Sequence, residues 1–459
     1  MFAFHLQREW RAMWQSPMRV AMLVSYTVLA TWALVDGLRW QAQVEQVHAA
    51  TPADLLTDRD AWLAELRKAE AGGEISAYAA RPMNLTFLAL HSPGPLAALA
   101  HGGESIHPHS ALINGWRSEA SLFRRYEVEG PSTLRLGRID LLFVLTVLFP
   151  LFLMMLSFDV ISVERSSARL RLFLIQGGQV PALLCARLFS ALIPLLLVSV
   201  ACVLIAALLT GATFVSVAIW LLALLVYALF WSAVAAVVAV GFRRSASGAL
   251  AVLAAWAVLV VVLPSASQFL AQAYYPVPSR VAYLSEARMA EGETRRNLAA
   301  RAEVYMAEHP DQGNASDASV PGYFRASYLS NIDINARTRP IVEAYASQQA
   351  AQRDALALAR FVSPALAVQH LLHDASGTGA EHAAAFRRQA RAHLNMLLEH
   401  IGPATVSRAR LSVEQAQSIP RFQFKADGID RRSWLALAWY VLLSCALLVA
   451  VVRLSRRLS

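Results

Sequence analysis

The chain has 459 residues, is 56% hydrophobic and 16% charged, and carries a formal net charge of +9 with a mean hydropathy of +0.43. That apolar content is too high for a disordered chain, and it is gathered in runs rather than spread along the sequence. The composition excludes a purely soluble domain and a disulfide scaffold, because the three cysteines, Cys185, Cys202 and Cys445, all lie within apolar runs.

Six runs, 18–38, 139–158, 182–210, 214–240, 247–270 and 434–452, are at or near the ~20 residues a membrane helix needs. They predict an all-α membrane protein with six transmembrane helices (TM1–TM6) and two mainly helical extracytoplasmic inserts, at 39–138 and 271–433. Arginines set the orientation. Arg8, Arg11 and Arg19 precede the first run, Arg165, Arg169 and Arg171 follow the second, Arg243 and Arg244 separate the fourth and fifth, and Arg453, Arg456 and Arg457 follow the sixth. The short loop at 210–213 on the opposite face has no basic residue. The positive-inside bias therefore predicts cytoplasmic termini, residues 159–181 as a cytoplasmic loop, and a multi-pass protein of the bacterial cytoplasmic (inner) membrane. Those eleven arginines less Glu9, Asp159 and Glu164 carry +8 of the +9. The basicity is thus topological, and nucleic acid is not an expected partner.

In chain order, Leu6, Trp10, Met13 and Trp14 recur at helical spacing and predict an interfacial helix over 1–17, ended at Pro17. The first run is too long for a signal-peptide core and has no small-residue cleavage site before Trp40. The first insert starts helical over 54–70 and then becomes loop-like. It contains His101, Glu104, His107 and His109, residue types that ligate transition metals, although a loop broken by Gly and Pro supplies no fixed ligand geometry. Arg187 is placed to snorkel from the inner end of the third run, and Pro194 to kink that helix. The second insert is Ala-rich and predicts helices over 281–307, 333–372 and 380–400, with Ser376–Gly379 separating the last two. His370 and His373, one turn apart, are read as packing or surface residues. Neither insert shows sustained period-two alternation, so a β-rich module is not expected.

No P-loop is present, since the two lysines, Lys68 and Lys425, lie in the inserts outside any Gly-x-x-x-x-Gly-Lys context. No Gly-x-Ser-x-Gly, His-Glu-x-x-His or Cys-x-x-Cys motif occurs either. The chain is expected to be no enzyme and to hold no cofactor.

The run from Phe158 through Asp159, Glu164-Arg165, Arg169, Leu170-Arg171 and Leu174 resembles the first cytoplasmic loop of ABC-2 type permeases, in its Glu-Arg and Leu-Arg pairs. Ala168-Arg169 stands where that family has Gly-Thr, and Gln176–Pro181 departs from its usual ending. Arg8-Glu9-Trp10-Arg11, the entry Pro131–Phe143, Pro278–Arg280, Ser363–Leu366 and Ala375–Thr378 are similar to a subgroup of these permeases with a large periplasmic domain, itself similar to multicopper-enzyme maturation transporters. The resemblance implies the membrane subunit of an ABC exporter, with Asp159, Glu164, Arg165, Arg169, Leu170 and Arg171 as the loop that couples to a separate ATPase. It implies a second permease copy, identical or related, ATP and Mg on the ATPase only, and a periplasmic partner for the inserts. A rival expectation is a mechanotransmission complex in which ATP hydrolysis works the outer domains without moving a substrate. A third is a membrane-anchored metalloprotein using the His101–His109 loop.

Overall fold

The computed structural model describes residues 2–91, 94–101, 109–123, 139–157, 180–242, 244–277, 280–296 and 322–456, with five single or paired positions between 300 and 308. The fold is nearly all-α. Helix α1 (Phe2–Gln15) is followed, after Ser16, by α2 (Pro17–Glu70), whose first turn carries the proline that also ends α1. At 1.5 Å per residue the 54 residues of α2 run about 81 Å. The sequence separates the first apolar run from a helix at 54–70, with Thr51-Pro52 between them, yet the helix is continuous through both.

Among the described residues, five helices are long and apolar enough to cross a membrane: Pro17–Gln46 within α2, α4 (Val180–Thr210), α5 (Phe214–Gly241), α6 (Ser245–Tyr274) and Arg431–Ser455 within α12 (Arg431–Arg456). The segment predicted at 139–158 forms the shorter apolar helix α3 (Leu141–Ser157). Its N-cap is Asp140, whose carboxylate accepts the Phe143 amide at 2.8 Å. Among the described residues, two helices contain π-helical segments, Val144–Leu148 in α3 and Ala257–Val262 in α6.

The bundle core joins these helices through Tyr26, Phe149, Leu195, Trp220, Tyr227, Trp231 and Tyr440, all buried. Helix α1 lies against the start of α4, with Met13 buried and Trp14 exposed. Arg187 does not simply reach for solvent: its Nε donates to Glu9 at 2.8 Å, and Glu9, also bonded by Arg8, is buried.

The two inserts share one core. Trp62 and Leu66 of α2 pack with Met83, Phe87 and Ile113 of the first insert and with Phe386, Leu394, Leu397 and Ile401 of the second. Residues of both inserts thus meet in a single cluster. The helices of the second insert are α7 (Arg280–Arg296), α8 (Tyr323–Ala359), α9 (Pro364–Ser376), α10 (Ala380–Val406) and α11 (Val413–Ser418). A two-stranded antiparallel hairpin, β1 (Phe87–Leu90) with β2 (Ser110–Ile113), pairs Phe87 with Ile113 and Leu90 with Ser110. The helix predicted at 333–372 is divided at Arg360–Ser363, where the Ser363 hydroxyl accepts the Leu366 amide and Pro364 opens α9.

Candidate functional site

Helix α9 belongs by sequence to the second insert and by packing to the apolar bundle. Its Ala365, Val368, Leu371 and Leu372 are buried in the same cluster as Leu145, Trp220 and Tyr440, and it touches α3, α5, α6 and α12. The helix is bonded to the bundle at its start, middle and end. Ser363 Oγ donates to the Leu259 carbonyl at 2.9 Å, Gln369 Nε2 to Thr146 Oγ1 at 3.0 Å, and Trp220 Nε1 to Ser376 Oγ at 3.2 Å.

The acceptors explain why π-helical segments occur here. An i→i+5 turn disturbs the regular ladder and leaves backbone carbonyls for other donors, which an apolar bundle must then provide. Leu259 lies in the π segment of α6 and Thr146 in that of α3. The Thr146 carbonyl accepts from Tyr227 Oη at 2.5 Å, and the Val147 carbonyl from Trp256 Nε1 at 2.9 Å. Both π segments are thus matched to side-chain donors, and α9 contributes one of them.

Beside α9 stands a partly buried polar node centred on Arg360. Arg360, immediately after α8, donates to Asp430 Oδ2 at 2.9 Å, Ser433 Oγ at 2.8 Å and His370 Nδ1 at 3.0 Å. Arg360 is 3% exposed, so its charge depends on these partners. His370 must be neutral at Nδ1 to accept. Burial, reinforced by Arg360, pushes its pKa down to about 3. Burial also pushes Asp374 up to about 6, against the pull of Arg360, with Asp430 and Glu381 adding repulsion and Ser433 Oγ approaching Asp374 at 3.5 Å. His373 Nδ1 lies 3.0 Å from Thr378 Oγ1. Asp430 and Ser433 sit at the start of α12, so the node ties α8, α9 and the last apolar helix together.

The first insert closes the end of α9. The Gly94 amide donates to the Ser376 carbonyl at 3.0 Å, and a Cβ at Gly94 would come within 2.6 Å of that oxygen. Gly377 caps α9 in the left-handed region at φ +70°. A second close approach lies lower, where a Cβ at Gly37 of α2 would meet the Ala98 carbonyl at 1.8 Å, while Gln41 Oε1 accepts the Ala98 amide at 3.0 Å.

Of the predicted site residues, Asp159, Glu164, Arg165, Arg169, Leu170 and Arg171 lie outside the described residues, as do Glu104 and His107. His101 and His109 take different surroundings. His101 stacks on Trp40 at 5.0 Å, with Nε2 3.8 Å from Asp36, whereas His109 lies beside His91 and His48 at 6.5 and 6.3 Å between ring centres. Among the described residues no three His, Cys, Asp or Glu side chains converge to hold a metal ion. The Arg360, Gln369 and Asp374 constellation carries no local motif. The Ser363-Pro364 and Ser376-Gly377 boundaries that frame it are the visible signal.

Residues 280–425, which include α9 and most of the polar node, match a family described as a domain of unknown function (DUF3526). No curated protein matches the chain. No solved structure matches it either.

Proposed function

We propose that the chain is the membrane subunit of an ATP-driven transporter of the ABC-2 type, working with a separate ATPase and a second permease copy, and that it acts as an exporter. Its long apolar helices suit a multi-pass membrane protein, and the arginine distribution supports reading the termini and the loop at 159–181 as cytoplasmic, in the bacterial inner membrane. On this reading α3 is the sixth span and the insert domain is extracytoplasmic. Glu164, Arg165, Arg169 and Arg171 supply the charges of the loop that docks the ATPase.

The observation that carries the reading is the anchoring of α9. A DUF3526-matched segment is hydrogen-bonded into two π-helical segments and tied through Arg360 to the start of α12. These contacts give a direct route by which movement of the apolar helices is passed to the outer domain and back. The same connection favours the second reading, in which ATP hydrolysis works the outer domain on a periplasmic partner and nothing crosses the bilayer.

Purification of the tagged chain in mild detergent tests the first step, with the ATPase expected at about one copy per permease and lost from a Glu164→Ala/Arg165→Ala double variant. Undiminished recovery of the ATPase with that variant removes the loop assignment, and its absence from the wild-type chain removes the transporter reading. Reconstituted vesicles separate the two mechanisms, because a mechanotransmitter turns over ATP without flux.

A further inference from the structure

The outer end of α6 and the end of α8 flank an open apolar groove with a volume of about 440 Å³. Leu270, Tyr274 and Tyr275 form one wall, and Ala355, Leu358 and Val362 the other. Such a groove is within the size range of small-ligand sites, and it is lined mainly by aliphatic side chains with phenol rings at one end. Tyr274 is 75% exposed and Leu358 64%, so the groove is open along its length.

Three observations together say what covers it. Helix α6 is the least buried of the five candidate spans, so on the membrane reading it faces lipid most fully. Its 30 residues are about 45 Å long against about 30 Å of hydrocarbon, which brings Ser267–Tyr274 to the outer headgroup level or above it. Aromatic rings at that level, as at Tyr274 and Tyr275, are the usual interfacial anchors. The groove is therefore an apolar path continuous with the lipid-facing side of α6, rising where the helix leaves the bilayer. Its second wall is the segment that leads directly into Arg360 and α9.

We propose that this groove takes one acyl chain of an outer-leaflet phospholipid, which the protein draws up between α6 and α8. The inference rests on the membrane reading above and adds a ligand class to it, an acyl-chain amphiphile recognised at its tail. A chain lying there would contact both the bundle and the outer domain, at the point where movement of one is passed to the other.

The full chain reconstituted in vesicles containing a phosphatidylcholine with a photoreactive group at the end of one acyl chain tests this. Labelling at 267–275 and 355–362 is expected about tenfold above that on the exposed face of α4 at Leu197 and Leu208, a preference of about 1.4 kcal/mol for the groove walls over bulk lipid. Ala355→Trp, which fills the groove, should remove that excess and leave the α4 labelling unchanged, and Leu358→Ser, which opens one wall, should reduce it if the tryptophan variant does not fold. Equal labelling of groove and α4, or an excess that Ala355→Trp leaves intact, overturns the proposal. Cross-linking of Leu358→Cys between two copies in membranes also overturns it, by showing a second chain in the groove. Labelling of neither region overturns the membrane reading itself, and this proposal with it.

Discussion

Gln369 and Thr146 are 223 positions apart in sequence, and Gln369 Nε2 donates to Thr146 Oγ1 at 3.0 Å in a partly buried contact. The Thr146 hydroxyl gives its own proton to the Leu142 carbonyl at 2.8 Å, so it is oriented to accept the amide. The pair joins α9 to the π-helical turn of α3. Gln369→Leu and Thr146→Val are each expected to cost about 0.5–1.5 kcal/mol. The double variant should cost less than the sum, with a coupling of about 1 kcal/mol measured by thermal unfolding in detergent. Additive losses would mean that the two residues act independently.

Gly94 offers a test of the opposite kind, in which an atom is added. A methyl group there would press on the Ser376 carbonyl, which is fixed by the αL cap at Gly377. Gly94→Ala should destabilise the chain by about 1–3 kcal/mol through overpacking. Gly377→Ala should cost about 1 kcal/mol or more, through its positive φ and through a Cβ that would meet the Gly94 nitrogen at 3.1 Å. A Gly94→Ala chain as stable as wild type would show that the loop can withdraw from α9 at no cost.

The apolar helices were readable from the sequence because a run of about twenty apolar residues has few other uses. The division between bundle and insert domain was not, because α9 has the moderate hydrophobicity of an ordinary amphipathic helix and nothing local says that its apolar face meets Trp220 and Leu145 rather than the insert core. The shared insert core was hidden for a related reason. Trp62, Phe87 and Phe386 come from three distant stretches, and one sequence carries no record of their meeting. Arg187 was visible as a charge at the end of an apolar run, but its bond to Glu9 depends on α1 folding back against α4. Ser363-Pro364 and Ser376-Gly377 were the local signals of α9, and they mark its ends without saying where it goes.

Asp374 and His370 give the node opposite dependences on pH. Asp374 has its folded pKa raised to about 6, so the folded chain holds a proton that the unfolded chain has released above about 4. Its contribution to stability is fullest below about pH 4 and is lost as pH rises through 6. His370 has its folded pKa lowered to about 3, so its contribution is present above about pH 6.5 and is lost as pH falls toward 3. The two slopes oppose each other between about pH 4 and 6. Asp374→Asn should leave stability rising with pH over that window, and His370→Gln, which keeps an acceptor for Arg360, should leave it falling. Chemical denaturation at several pH values reads both slopes, and unchanged profiles would place neither group in the node.

Glu9 and Arg187 form the corresponding connection at the opposite end of the bundle. Their 2.8 Å bond ties α1 to α4, and the Glu9 side chain is only 4% exposed while Arg187 is 15%. Removing one partner leaves a poorly solvated charge, at a cost of about 3–5 kcal/mol where burial is complete and less where Arg8 still reaches Glu9. Arg187→Met should therefore release α1 more than Glu9→Gln, which keeps an acceptor for the guanidinium. The exchange Glu9→Arg with Arg187→Glu should restore part of the loss. Met13 reports the release, because it is 2% exposed while α1 lies on the bundle. In a chain with Cys185, Cys202 and Cys445 replaced by alanine, Met13→Cys should resist thiol reagents, become reactive in Arg187→Met, and be protected again by the exchange. Equal protection in all three backgrounds would assign the hold on α1 to its apolar face, through Trp10 and Met13, and leave the ion pair without a role in anchoring it.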